Sequence, residues 1–305
     1  MSIFSRFFGR KSESADADAD DAHDVGALAA NPDIENPIAL TVVFARPLQL
    51  DIAAFGQALR GFHASTADAR SEISPDPGPF IALAGWKKHV VRMVGFDAPM
   101  QAEALENCVA PAHYPQALKA QVRAHRGHVI LYYGGYEASV LEQYVALATV
   151  AGALARLGAL AVLNEAARTS LPAAVFDAEV EGDRIELLRY LDLTALYCGF
   201  VKYEVEGVQG VWMRTYGADR FGHADLAVLA EGHHEGEIYF QMFSNVLRYL
   251  IDSGAELGAG HTMQADKNSF LRLRAPLATE YFLDGPGPVL VVEVIGADEI
   301  NQRPH

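Results

Sequence analysis

One stretch constrains this chain more than any other: His128 to Leu163, HVILYYGGYEASVLEQYVALATVAGALARLGALAVL. Its pattern predicts a strand, a Gly-Gly turn, a long apolar helix and a second strand. From Val140 to Leu157 apolar residues occupy nearly every helical face, and Glu142 and Gln143 are the only charged or amide side chains before Arg156. A helix apolar all round has to be buried on most sides. Ala146, Ala148, Ala151, Gly152, Ala153 and Ala155 let neighbouring backbone come close, so this helix is expected against a sheet at the centre of the fold, with Gly158 ending it. Tyr144 to Leu163 approaches the ~20 apolar residues that a membrane span needs. Arg156 and Gly158 interrupt that window, however, and Ala159 to Leu163 has the composition of a buried strand. Gly134-Gly135 lacks the full G-x-G-x-x-G spacing, and Glu137 would repel an anion, so the turn is read as a packing device rather than a phosphate site.

At 305 residues, half of them apolar, the chain can build one large domain or two medium ones. A net charge of −15 with no basic cluster argues against a binder of phosphate backbones, so no nucleic-acid partner is expected. Cys108 and Cys198 sit in apolar contexts without a CxxC pair, and there is no secretory signal. They read as small buried side chains in a protein of a reducing, bacterial-type cytoplasm. No motif calls for a cofactor.

The first eleven residues, MSIFSRFFGRK, mix Ile3, Phe4, Phe7 and Phe8 with Arg6, Arg10 and Lys11. Eight acids follow between residues 13 and 35. So little apolar surface cannot offset the entropy of ordering, and residues 1–36 are expected as a disordered acidic tail. Ordered structure is expected from about Pro37: a strand over Ala39–Ala45, a helix capped by Asp51 and running to Phe62, a proline-rich loop over SEISPDPGPF, strands over Phe80–Ala84 and His89–Phe96, and helices over 101–109 and 115–125. With the central segment this order predicts an α+β protein, two-lobed, with ferredoxin-like, mainly antiparallel sheets and helices packed on one face. The lobes are placed at 37–176 and 190–297, separated by a poorly patterned connector. In the second lobe a hairpin (Tyr197–Glu206 with Gly210–Gly217), a strand Ala224–Leu229, a helix from Gly236 to Asp252 ended by Gly254, and strands Ser269–Arg274 and Pro288–Ile295 are expected.

The phrases AHYPQALKAQVRAHRGHVILYYGGY, AVLNEAARTSLP, LYCGFVKYEVEGVQGVWMRTYGADRFGHADLAVL and SGAELGAGHTM carry a resemblance. The chain resembles an uncharacterised family of bacterial proteins, a domain of unknown function whose C-terminal module bears an RT-x-G-x-x-x-FG strand and turn. The resemblance spans most of Pro37 to Ile295. It implies a globular cytoplasmic protein and brings no activity, cofactor or catalytic residue.

Three constellations are candidates for chemistry. HADLAVLAEGHHEGE gathers His223, Asp225, His233 and His234 with Glu235 and Glu237, and a zinc-like ion would need three or four of them to converge. A solvated loop is the competing reading, because the two histidine groups fall at opposite ends of a strand. NEAARTS places Glu165 and Arg168 where a strand ends, a common position for sites, and its plainer reading is local i,i+3 pairing at a helix start. In the hairpin, a loop Gly207-Val208-Gln209 would set Lys202 opposite Arg214 and Glu204 opposite Trp212. Lys202, Trp212 and Arg214 then form an exposed face suited to an acidic peptide or anionic ligand, with a structural ion network as the alternative. The expected function is a non-catalytic cytoplasmic binding or regulatory module with a protein partner. The alternative is a metal-assisted or acid–base hydrolase using the histidine-rich loop 223–237.

Overall fold

The computed structural model describes residues 28–74, 80–177, 182–265 and 269–299. The basic-aromatic segment and most of the acidic stretch lie outside these residues. Packing nonetheless involves residues ahead of Pro37. Ala30 is buried with Leu83 and Val90, Leu28 packs against them, and the Leu28 N–H donates to Glu72 Oε1 at 3.0 Å. The short apolar run around Leu28 to Ala30 is masked in sequence by the acids on either side.

The chain divides into two compact units. The first takes the residues up to Val109 with His113–Leu163 and Ser170–Tyr190, and the second takes Ala110–Ala112, Asn164–Thr169 and the chain from Leu191. Both are α+β, with mainly antiparallel sheets.

In the first unit, β1 (Ala39–Phe44) leads to α1 (Ile52–Arg60), whose N-terminus is capped by Asp51 Oδ1 accepting from the Ala53 and Ala54 N–H groups at 3.0 Å. Then come β2 (Arg70–Ile73), β3 (Ile81–Trp86), β4 (His89–Phe96), α2 (Ala102–Val109), α3 (Gln116–Arg123), β5 (Gly127–Tyr133), α4 (Val140–Ala155), β6 (Ala159–Asn164) and β7 (Thr169–Pro172). Two short helices, α5 (Ala174–Asp177) and α6 (Arg184–Arg189), close the unit. The sheet order is β2-β3-β4-β5-β1-β6-β7. Both β5 and β6 run antiparallel to β1, so β5–α4–β6 is a crossover between parallel strands with β1 inserted, the split arrangement of ferredoxin-like folds. The sheet is wider than that four-stranded fold because β2, β3 and β7 extend it. The sequence reads β2 as loop and β7 as connector because RSEI and TSLP lack apolar alternation; their pairing partners, not their composition, make them strands.

Helix α4 is the centre of this unit. Twelve of its residues are buried, Leu147, Ala148, Val150 and Ala151 completely, and it packs against α1, α5 and α6 and over β5, β1 and β4. Ser139 caps it, its Oγ accepting from the Glu142 N–H. At Gly152 a Cβ would lie 2.3 Å from Phe62 Cε2, so glycine is what lets the ring lie against the helix. The Gly134-Gly135 turn is packing as well: a Cβ at Gly135 would meet the Lys88 carbonyl at 2.5 Å, while the Gly134 and Tyr136 N–H groups donate to the Val90 and Lys88 carbonyls. Among the described residues no helix is long and apolar enough to cross a membrane.

The second unit holds β8 (Gly199–Tyr203), β9 (Val211–Tyr216), β10 (Asp225–Ala230), α7 (Gly236–Ser253), β11 (Thr262–Gln264), β12 (Ser269–Arg274) and β13 (Val289–Gly296), in sheet order β11-β12-β13-β10-β9-β8. Only the β10–β13 pair is parallel among the registers of this sheet. Phe243, Val246, Leu247 and Leu250 of α7 are buried, and Phe200 of β8 meets Phe240 and Phe243 edge-on at 5.7 and 6.1 Å. Gly254 ends α7 in the left-handed conformation, at φ 66°.

Candidate functional site

The β8–β9 hairpin overturns the expected binding face. Its register pairs Phe200 with Thr215, Val201 with Arg214 and Tyr203 with Trp212, one residue away from the expected pairing of Lys202 with Arg214. The turn lies at Val205–Val208, where the Val208 N–H donates to the Val205 carbonyl. A slip of one residue sends every side chain of one strand to the other face. Phe200 therefore points to α7, and Lys202 lies beside Gly236 at the start of that helix. Trp212 shares a buried cluster with Ala227, Leu283 and Val291 on the opposite side, where it meets Phe282 at 5.5 Å. Apolar alternation could not reveal the slip, because the sheet is covered on both faces.

Arg214 is wholly buried. Its Nη1 donates to the Leu283 carbonyl and its Nε to the Thr215 carbonyl at 3.3 Å, and its guanidinium lies 4.3 Å from the centre of the Tyr216 ring. Arg168, held at φ 52°, covers the same ring at 4.2 Å and donates to its hydroxyl at 3.2 Å. Arg168 is thus part of a β6–β7 turn, not of a helix start beside Glu165. The counter-charge to Arg214 is Asp225, also fully buried, with Oδ2 3.5 Å from Nη2. That distance makes a charge contact rather than a hydrogen bond, and neither atom has another partner. Asp225 Oδ1 accepts from Thr215 Oγ1 and from the Ala218 N–H at 3.1 Å. Burial dominates its ionisation and pushes its carboxyl up to about 6, although those two donors and Arg214 pull the other way. This is the structural ion network, and Trp212 and Arg214 are closed to a partner.

The histidine-rich segment is also dispersed. Asp225 is consumed in that network, His223 is half-buried, its imidazole held below the ordinary histidine value by burial, and exposed His233 places Nε2 3.2 Å from Glu204 Oε1. His234 is exposed on the 3-10 turn that precedes α7. Among the described residues no three His, Cys, Asp or Glu side chains are placed to hold one ion. Untagged protein purified without added metal should carry well under one zinc, manganese or iron per chain; stoichiometric metal lost on replacing His233 and His234 by alanine would revive the metal reading.

A concavity of the second unit lies between α7 and the β11–β12 edge. This groove of about 760 Å³ is lined by Ile238, Met242, Val246 and Tyr249 of α7 and by Met263, Leu271 and Val294 of the sheet. Ile238 is 61% exposed, Tyr249 54% and Val294 47%. Single exposed apolar residues are ordinary, whereas here several line one groove. The signal was present in the sequence: α7 is apolar at Ile238 and Met242 as well as at the buried Phe243, Val246, Leu247 and Leu250.

In the first unit a polar cavity of about 270 Å³ is lined by His63, Ser65, Trp86, Lys87, His89, Glu142, Asp183 and Arg189 among others. Ser65 Oγ lies 2.9 Å from His63 Nδ1, and His63 Nε2 lies 3.1 Å from Asp183 Oδ2. Asp183 is held below the usual carboxylate range by the Glu186 N–H first, then by the Ile185 N–H and His63. Arg189 makes a two-point contact with Glu142, at 2.5 and 2.8 Å, and also pairs with Glu186. Burial keeps His89 below the ordinary histidine value and pushes the neighbouring Tyr133 phenol up to about 12. Neither His63 nor Asp183 stands in a motif, which is why they escape a reading of the sequence alone.

The fold and these surfaces define a two-unit α+β protein with an apolar groove in one unit and a polar cavity in the other. Residues 214–293 match the model of a family described as a domain of unknown function, DUF4261, beginning at Arg214 of the buried network. No curated protein and no solved structure matches the chain.

Proposed function

We propose that the second unit of this chain is a non-catalytic binding module, working in the bacterial cytoplasm, that seats an apolar segment of a protein partner in the groove between α7 and the β11–β12 edge. The observation that carries this reading is the continuity of exposed apolar side chains, Ile238, Tyr249 and Val294, along a concave surface. Glu237 and Asp252 stand exposed on the same helix, and the chain is acidic throughout, at −15, which favours a segment flanked by basic residues. Among the described residues Cys108 and Cys198 are buried and form no disulfide, which accords with a reducing compartment.

Peptides selected from a random library against the full chain should share two or three apolar residues with adjacent Lys or Arg. Met242→Glu should weaken them at least about tenfold, roughly 1.4 kcal/mol, with little change in melting temperature, because Met242 is only partly buried. Peptides that bind Met242→Glu and wild type equally would place the binding surface elsewhere.

A further inference from the structure

The polar cavity of the first unit stands apart from the groove and from the binding reading. Three of its side chains share an order of contacts with a chemical meaning: a hydroxyl on an imidazole nitrogen, and a carboxylate on the other. We propose that Ser65 is a nucleophile toward small acyl esters, with His63 as its general base and Asp183 as the residue that positions His63.

His63 Nδ1 accepts the Ser65 N–H at 3.1 Å, which requires an unprotonated Nδ1 and so puts the ring proton on Nε2, facing Asp183. The same Nδ1 lone pair lies 2.9 Å from Ser65 Oγ, so it is shared between the backbone N–H and the hydroxyl, and taking the hydroxyl proton releases the contact to the N–H. These contacts also cap the 3-10 turn Ala64–Thr66. A cap needs only the backbone contact; it needs neither a serine hydroxyl on the same nitrogen nor a carboxylate supplied from 120 residues along the chain. Trp86, Val145 and Ile185 give the cavity apolar wall, its volume suits a short acyl group, and Lys87 adds positive charge beside it. Ser65 is half-buried and lines that cavity.

In the step, the Ser65 Oγ–carbonyl carbon bond forms as the hydroxyl proton passes to His63 Nδ1. The carbon–oxygen bond to the alcohol then breaks, and the alcohol leaves with that proton. Water, deprotonated by Nδ1, attacks the acyl-serine, releases the carboxylic acid and restores Ser65. The Ser65 and Thr66 N–H groups donate to His63 and so do not serve the oxyanion. Turnover should therefore be slow, with an acyl-enzyme that accumulates.

The test is treatment of the full chain with a fluorophosphonate probe and, separately, with p-nitrophenyl acetate. One equivalent of label should map to Ser65, with a nitrophenol burst of the same size. Ser65→Ala leaves the backbone cap intact and should remove both without moving the melting temperature. His63→Asn keeps a capping oxygen but no base and should slow labelling about 100-fold or more. Asp183→Asn should slow it less. Absence of label at Ser65 in folded protein, or label that forms equally fast in His63→Asn, would reduce the cluster to a helix cap and overturn the proposal.

Discussion

Replacing Ala148 or Ala151 with Glu should abolish folding. Both alanines are wholly buried in α4, the helix that packs against α1, α5, α6 and the sheet of the first unit. A carboxylate there would lose its hydration without a partner, or would have to stay protonated, at a cost of several kcal/mol. The added volume strains a close-packed interior by a further ~1–3 kcal/mol, against a total stability of ~5–15 kcal/mol for proteins of this kind. Soluble yield and near-ultraviolet circular dichroism read the result. Ala148→Ser is the control, because a hydroxyl on a buried helix can return its hydrogen bond to the carbonyl four residues back, as Thr149 Oγ1 does to the Val145 carbonyl at 2.8 Å. That variant should fold. If both glutamate variants are soluble and melt within a few degrees of wild type, α4 is not the keystone described.

Arg214→Ala should destabilise the second unit by ~3–5 kcal/mol, because it leaves Asp225 buried and uncompensated. Arg214→Ala combined with Asp225→Asn should recover part of that loss, which a face built for binding would not predict. The same pair gives the protein a pH signature. The folded value of Asp225, about 6, lies above the ordinary aspartate value of 3.8, so between them the folded state binds more protons than the unfolded state. Stability from this group therefore rises as pH falls from 7 toward 4, by up to about 3 kcal/mol at ~1.4 kcal/mol per pH unit. Opposing it, Glu280 is held below the usual range by Arg274, and Asp183 by the N–H groups of α6. Their contribution is present above the unfolded carboxylate value and is lost as pH falls below it. Denaturant melts across pH 4 to 7.5 should accordingly show a maximum on the acid side of neutrality. Asp225→Asn should flatten the rise between pH 7 and 5. An unchanged profile in that variant would show that Asp225 is ionised throughout.

What the sequence determined by itself is the set of elements whose information is local and dense. Helix α4 announces itself because a run apolar on every face has no stable place but a core, and Asp51, Ser139 and Gly254 mark helix ends through hydrogen bonds and backbone angles that involve only neighbouring residues. The strands β4, β5, β6, β12 and β13 were legible for the same reason. Tertiary structure decided the rest. Strands β2, β7 and β11 exist because a neighbouring edge offers hydrogen bonds, a fact absent from RSEI, TSLP and TMQ. The hairpin register was fixed by what covers each face of the β8–β9 sheet, with α7 on one side and Phe282 and Leu283 on the other, and apolar alternation carries no sign when both faces are buried. For that reason Arg214 and Trp212 resemble a binding face in sequence and are core in the fold. Conversely, Ser65, His63 and Asp183 are unremarkable in sequence, because chemistry that depends on atoms within 3 Å is set by folding, which alone brings residue 183 back to residue 63.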